Sequence, residues 1–551
     1  MAARRSKLLF LVAGWLLIAA VTAGAQQKGM NSISAEELRL HLNIIAADET
    51  QGRDTPSTAD NIVARYLATM AEHYGLKPVM PNGSFFQSIP LDVTAVSESK
   101  SRLRVVSPTR EEIYYCPQSF GGTFRSSGAW AGDVVFVGYG LNAPEKGWDD
   151  YAGLDLTGKV VIMLEGQLPE GHPLRADRAA LGTRTLAPRT KGATLVLTVI
   201  SPEREKDMVS RNAGFQLTQR PAMLSTYPTQ NQARIGAAAP QPPAPAAQQA
   251  AARPGPPPGL ADIRHEVAQD ILGVSQSELD AMFAAIASGR QVPGKVLNKR
   301  IELSVVTERH SDSSPNVLAM LEGSDPILKN EYVVISSHHD HLGMRSGKPM
   351  DGADDNGSGT VAMLEIAEAL SLERPKRSVI LAWFTGEEKG LWGSHYFVNN
   401  CPVPLEKISA SLNLDMISRN DPDSLYLIAS NNLSTELDGS IRSQNDKYSK
   451  LKFDYVYNDR AHPDRFYYRS DQYPFIRVGV PAVWLFCGTT PDYHTPNDTI
   501  DRVDFKKMEK VTRLTYLVTF DIGNKPALLK LDVNPEVTTR GKHNTSIDSI
   551  R

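Results

Sequence analysis

Side chains able to hold and use a metal ion are concentrated in five stretches: Ser337-His338-His339-Asp340-His341, Gly352-Ala353-Asp354-Asp355-Asn356, Gly386-Glu387-Glu388, Asp415 and His494. Imidazole nitrogen and carboxylate oxygen suit zinc, which takes them in a near-tetrahedral shell. One catalytic ion needs three protein ligands and a water. His338, Asp354, Glu388, Asp415 and His494 make five candidates, with Glu387 to spare. That count fits two ions sharing one bridging carboxylate. Two such ions, about 3.5–4 Å apart, clamp a hydroxide and polarise a carbonyl together. Manganese or cobalt suits the same ligand types. Each stretch also has a plainer reading: an exposed histidine cluster at 338–341, a turn at Asp354-Asp355, a solvated acidic pair at Glu387-Glu388. Their conjunction at strand ends favours the metal site.

The elements that must position them alternate between strand and helix. Tyr332–Ser336, Ser378–Thr385, Ser409–Leu414 and Ala482–Phe486 read as short strands, the first of them of buried type. His338, Glu387-Glu388, Asp415 and His494 follow these four runs in turn. In open α/β sheets ligands bind outside the carboxyl ends of strands, so four strands aim the candidates at one crevice. The glycines of Asp351–Gly359 let the backbone turn tightly and bring Asp354 towards it. Ser358–Leu372, Gly390–Asn399 and Asp504–Phe520 have helical periodicity. Near the N-terminus, Ser34 with Glu36 and Glu37 starts a helix over Leu38–Ala47, and a second runs over Thr58–Tyr74. The alternation predicts an α/β fold, a mostly parallel mixed sheet flanked by helices.

The chain has 551 residues, more than one ordinary domain needs. Its formal net charge of -3, from 59 basic and 62 acidic side chains, gives no reason to expect a nucleic-acid partner. Arg4, Arg5 and Lys7, then the apolar run Leu8–Thr22 and Ala23-Gly24-Ala25, read as a signal peptide over 1–25 that leaves Gln26 first. Export to the periplasm or the outside follows, with no stable membrane association after cleavage. A retained membrane anchor is the alternative, for which the run is short. Cys116, Cys401 and Cys487 allow at most one disulfide. Gly236–Leu260 is Ala/Pro-rich and reads as a flexible insert.

The segments HHDHLG, GADDNGSG, FTGEEKGLWGS, LNLDM and HTPNDT resemble the di-zinc exopeptidase family of secreted aminopeptidases, glutamate carboxypeptidases and glutaminyl cyclases, over about Ser314–Phe520. The resemblance implies two zinc ions, one on His338 and Asp415, the other on Glu388 and His494, bridged by Asp354. It implies Asp340 as the carboxylate orienting His338, Glu387 as general base, a cis peptide at Asp354–Asp355, and Tyr467 as a phenol for the oxyanion, with its neighbour Tyr468 as the alternative. His339 stands where an apolar residue is common. GDVVFVGYGLNAPEKGWDDYAGLDLTGKVVIMLEGQ is similar to the opening of a protease-associated domain. The implied layout is a catalytic domain in two parts, 30–118 and 298–527, interrupted by a β-rich protease-associated domain over 119–297, with a flexible tail over 528–551. The implied activity is removal of N-terminal residues from peptides or proteins. A carboxypeptidase, using Arg419, Arg465 or Arg469 to hold a carboxylate, a one-zinc glutaminyl cyclase, and a non-catalytic binding protein are the alternatives.

Overall fold

The structure, a computed structural model, describes residues 28–122, 124, 126–210, 213–215, 220–223, 259–345 and 347–544. The signal peptide therefore lies outside the described residues, as does 236–258 of the Ala/Pro-rich stretch. Gly259 and Leu260 instead open a strand, Gly259–Ile263.

The chain divides into two compact units, one formed by Asp92–Ala222 with Gln241–Ser311, the other by the rest. The division falls at 92 and 311 rather than at 119 and 297. The reason is strand pairing: Arg102–Val106 pairs with Glu111–Tyr115 on one side and Lys295–Val305 on the other, so these segments go with the inserted sheet. That sheet has eight strands. Its centre is less purely β than the sequence suggested. Gly128–Phe136, Val160–Leu164, Leu195–Val199 and Gly259–Ile263 run parallel, and parallel neighbours need crossovers. The helix Arg178–Thr190 lies in one such crossover.

The other unit is built on a ten-stranded sheet. The strands that matter are β1 (Phe86–Val96), β2 (Thr307–Leu321), β3 (Tyr332–His338), β4 (Ser378–Phe384), β5 (Ile408–Leu414), β6 (Ser424–Ile428), β7 (Lys452–Asp454) and β8 (Ala482–Phe486). They lie in the order β1-β2-β4-β3-β5-β8-β6-β7. The four central ones, β4, β3, β5 and β8, are parallel. Every residue of β4, β5 and β8 is buried. This accounts for the mostly apolar sequence of β4 and β8, since a parallel strand covered on both faces has no polar side to show, while β5 carries Ser409, Ser411 and Asn413 as buried polar side chains.

The helices are α1 (Ala35–Ile45), α2 (Thr58–His73), α3 (Gly359–Leu372), α4 (Trp392–Asn399), α5 (Thr435–Gln444), α6 (Gln472–Arg477) and α7 (Phe505–Asn524). Ser34 caps α1 by accepting from the Glu37 amide, and Asp504 caps α7 by accepting from the Lys506 and Lys507 amides. Leu38, Leu42 and Ile45 of α1 join Val361, Leu364 and Leu370 of α3 in one buried cluster. Each such side chain contributes roughly 1.5–3 kcal/mol by leaving water. After α7 the chain stays packed. Leu529 and Val537 are buried, and the Leu529 amide donates to Ser409, so the flexible tail expected from 528 does not begin there. All three cysteines are free. No helix among the described residues is long and apolar enough to cross a membrane.

Candidate metal centre

Four parallel strands deliver the predicted side chains to one cleft. β3 ends on His338, and its partner residue on β4 is Phe384, two residues before Gly386. Gly386 has φ +68°, which turns the chain so that Glu387 and Glu388 follow into the cleft. β5 ends on Leu414, and Asp415 comes next. His494 reaches the site from the loop after β8. The cleft wall comprises His338, Asp355, Glu387, Glu388 and Asp415, with Met416, Phe466, Trp484, Arg469 and Tyr493.

The carboxylate at the centre is Asp355. Its Oδ1 lies 3.4 Å from Nε2 of His338, and its Oδ2 lies 3.1 Å from Nε2 of His494. The sequence reading gave this place to Asp354. Asp354 instead turns one carboxylate oxygen to Ser418, accepting hydrogen bonds from its amide (2.9 Å) and hydroxyl (2.6 Å). Likewise the cis peptide falls at Asp355–Asn356, not at Asp354–Asp355. The local cause is the shape of the turn. Gly352 is left-handed at φ +56°, and the Asp354 and Asp355 amides both donate to Asp498. The Asn356 side chain donates through Nδ2 to the Leu414 carbonyl at 2.9 Å and to the Ser337 hydroxyl at 3.1 Å, tying the turn to the ends of β5 and β3. Gly359 allows this closeness, because a Cβ there would stand 2.2 Å from the Leu414 carbonyl oxygen.

Two ligand groups share Asp355. His338, Asp355 and Asp415 form one, and His341, Asp355 and Glu388 the other. Nε2 of His338 lies 3.4 Å from Oδ1 of Asp415. Nε2 of His494 lies 3.3 Å from Oε2 of Glu388, and Nδ1 of His341 lies 2.7 Å from Oε1 of Glu388. Tetrahedral zinc with bonds of about 2.0–2.2 Å would hold neighbouring ligand atoms ~3.3–3.6 Å apart, close to these spacings. Asp415 Oδ1 is buried and accepts no hydrogen bond. So many converging carboxylates would repel one another in a dry cleft without cations. The donor set therefore fits divalent cations.

The electrostatics separate the two adjacent glutamates. Burial, reinforced by Glu388, Asp415 and Asp471 and opposed by His338, holds Glu387 well above the ordinary carboxylate range. Glu388 is also buried and faces Asp355, but hydrogen bonding to His341 and His494 outweighs both and brings it down to about 2. Burial would raise Asp355 too, yet His338, His341 and His494 hold it well below its usual value. The two chain neighbours thus differ in how readily they ionise: burial favours the protonated form of Glu387, and hydrogen bonding favours the ionised form of Glu388.

Asp340 lies behind His338. Nδ1 of His338 is 3.1 Å from the Asp340 carbonyl oxygen and 3.6 Å from its carboxylate, which also accepts from the Glu387 amide at 3.1 Å. Tyr467 is displaced from its expected place. It is fully buried against Tyr468 and Tyr473, with the Arg460 guanidinium over its ring. The phenol in the cleft wall is Tyr493, stacked on His494 with ring centroids 3.8 Å apart, its hydroxyl accepting from Arg469 at 3.0 Å. Of the arginines that could hold a substrate carboxylate, Arg419 is paired with Asp492 at 2.6 Å, Arg465 lies over the Tyr468 ring, and Arg469 lines the cleft.

The histidine run is not an exposed cluster, since His338, His339 and His341 are all buried. His339 points away from the cleft, with Nε2 3.2 Å from Asp60. That buried acidic partner accounts for a histidine where apolar residues are common. Sequence reasoning missed His341 as a partner of Glu388, and Ser470, whose hydroxyl donates to Asp415 at 2.5 Å and accepts from Asn413 at 2.8 Å. The signal for Ser470 was its place beside Asp471 in Arg469-Ser470-Asp471. A larger cavity, about 850 Å³, lies in the inserted unit between Tyr139, Glu165, Arg184 and Asp262. Among the described residues it gathers no comparable ligand group.

Residues 316–519, which carry all these ligands, match Peptidase family M28. Leucine aminopeptidase 2 of Arthroderma otae is 26% identical over 42% of this chain and 48% of its own length. Probable leucine aminopeptidase 2 of Aspergillus fumigatus is 32% identical over 39% of this chain and 43% of its own. The matches thus span about half of each relative or less. Among solved structures, an aminopeptidase from an Aneurinibacillus species is 18% identical with a TM-score of 0.47, covering 94% of this chain and 99% of that one.

Proposed function

We propose that the chain is an exported zinc metallo-aminopeptidase that removes the N-terminal residue of peptides. The observation that carries this reading is the pair of ligand groups joined at Asp355. The M28 match supports the enzyme class, and the relatives named leucine aminopeptidase support the substrate class. In this reading His338 and Asp415 would hold one zinc and Glu388 and His494 the other, with Asp355 available to both and His341 hydrogen-bonded to Glu388. Bound there, the metal pair would acidify a water and polarise the scissile carbonyl.

The protein's own groups do the rest. Glu387, raised by burial, takes a proton from the attacking water and returns it to the leaving amine. Asp340 fixes the Glu387 backbone through the 3.1 Å amide bond, so the base starts from a set position. Tyr493, its hydroxyl held by Arg469, donates to the oxygen that gains charge in the tetrahedral intermediate. The acidic cluster anchors a free α-amine. Met416, Phe466 and Trp484 offer an apolar wall to the first side chain. The inserted unit is read as a protease-associated domain, and the leader 1–25 as the export signal.

Arg469 in the cleft wall favours a second reading, a carboxypeptidase whose arginine holds the terminal carboxylate. One experiment separates the readings. Zinc is counted on protein purified from Gln26 onward, which is then assayed on aminoacyl chromogenic amides, N-blocked amides and peptides ending in glutamate. About two zincs with cleavage of free-amine substrates alone is the expected result. Release only from the C-terminus establishes the carboxypeptidase. One zinc with cyclisation of N-terminal glutamine establishes a cyclase, and no zinc with no turnover a binding protein.

A further inference from the structure

Arg53 is fully buried, although it is a cation and lies outside every metal-binding stretch of the sequence. Its guanidinium forms hydrogen bonds to four backbone carbonyls. Nε donates to His339 at 2.9 Å, Nη1 to Ile45 at 2.9 Å and to Asp351 at 2.6 Å, and Nη2 to Gly352 at 3.0 Å. His339 directly follows the ligand His338. Asp351 and Gly352 open the turn that carries Asp355. One planar group thus ties together the two loops whose spacing decides whether His338, His341 and Asp355 converge.

The backbone around Arg53 adds to the same junction. Its carbonyl accepts from the His341 amide at 3.1 Å, and the Gly52 carbonyl accepts from the Gly343 amide at 2.9 Å. Gly52 has φ +70°, and a Cβ there would stand 2.5 Å from the carbonyl oxygens of both Gly343 and Met350. The turn therefore fits between the loops with no room for a side chain. The charge has a counterpart as well, since the Arg53 guanidinium is attracted by Asp340, Asp355, Asp498 and Asp351. A buried cation amid those carboxylates offsets part of their mutual repulsion before any ion is present. Lysine could not replace it, because three donors on one nitrogen cannot span four carbonyls set around a plane.

We propose that Arg53 is the positioning residue of the metal centre, fixing the His338–His341 loop against the Asp351–Asp355 turn so that the ligand groups are assembled in advance of the metal. This rests on the metal-centre reading above. Such outer partners commonly account for about 10–100-fold in metal affinity.

Two measurements test it. The first compares wild type with Arg53→Lys, and with Arg53→Met, by zinc competition against a chromophoric chelator and by the visible spectrum of the cobalt(II) forms. The expected result is native circular dichroism, zinc affinity lower by about 10–100-fold and an altered cobalt spectrum in both variants. Wild-type affinity and spectrum in Arg53→Lys would overturn the proposal. The second needs no variant. Amide hydrogen exchange is followed on wild-type protein before and after stripping with a chelator. The amides of His339, His341, Ala353 and Gly357 are expected to stay protected without metal. Loss of their protection on stripping shows that the ions, not Arg53, hold the loops. If wild-type protein binds no zinc, the metal-centre reading fails by itself, and the exchange result still decides whether the loops are assembled in advance.

Discussion

Asp354 and Asp355 are neighbours in the chain whose carboxylates serve different partners. Asp354 accepts from Ser418, and Asp355 stands between His338 and His494. Both are buried, so burial does not distinguish them. Substitution does. Asp355→Asn is expected to lose metal from both positions and, with it, activity, beyond the ~10–100-fold that loss of an outer partner costs. Asp354→Asn keeps an oxygen for the Ser418 hydrogen bonds and should retain bound zinc. Zinc counted on the two purified variants checks this. Equal metal loss would remove the bridging assignment from Asp355.

Glu387 and Glu388 divide in the same way. Glu387→Gln preserves shape and hydrogen-bonding capacity but cannot take a proton. It should keep wild-type zinc content and KM while kcat falls by about 10²–10⁴-fold. Turnover near wild type would sink the general-base role. A fall in zinc content would make Glu387 a ligand rather than a base.

The two candidate phenols are separable by kinetics. Tyr493 lines the cleft, and Tyr467 is enclosed in aromatic core. Tyr493→Phe should lower kcat by as much as the ~10²–10³-fold seen when an oxyanion donor is removed, with zinc content unchanged. Tyr467→Phe should leave kcat within about twofold, the ring packing being conserved. The reverse pattern would restore the oxyanion role to Tyr467.

The strands and their order of use could be read from the sequence because parallel, doubly covered strands are largely apolar, although Ile408–Leu414 carries three buried polar side chains. Tyr332, Ser378 and Ala482 were the starts of runs that begin at those residues in the structure. Whatever follows such a strand faces the cleft, so His338, Glu388 and Asp415 were within reach of sequence reasoning. Asp355 was not, because within an acidic pair in a turn the choice of inward side chain depends on hydrogen bonds donated by Ser418 and accepted by Asp498, which are distant in the chain. Tyr493 and Arg53 were hidden for the same reason. Nothing local distinguishes a phenol or guanidinium that faces the site from one that fills the core.

Away from the cleft, Glu365 on α3 is buried beside Glu37, Glu368 and His41, with one oxygen accepting from the Ser34 amide at 3.1 Å. Burial, helped by Glu37 and Glu368, pushes its carboxyl from 4.5 up to about 8. The folded protein therefore keeps this proton at neutral pH, where the unfolded chain has released it. Binding more protons when folded means that stability from Glu365 is full below about pH 4.5 and is lost as pH rises through about 8. Gln cannot ionise and mimics the protonated form. Glu365→Gln should therefore match wild type near pH 4.5 and become the more stable protein by pH 9, by on the order of a few kcal/mol. Urea unfolding of both proteins at pH 4.5, 7 and 9 measures the difference. Parallel stability profiles would show that Glu365 is already ionised in the fold, its charge met by a cation or by solvent.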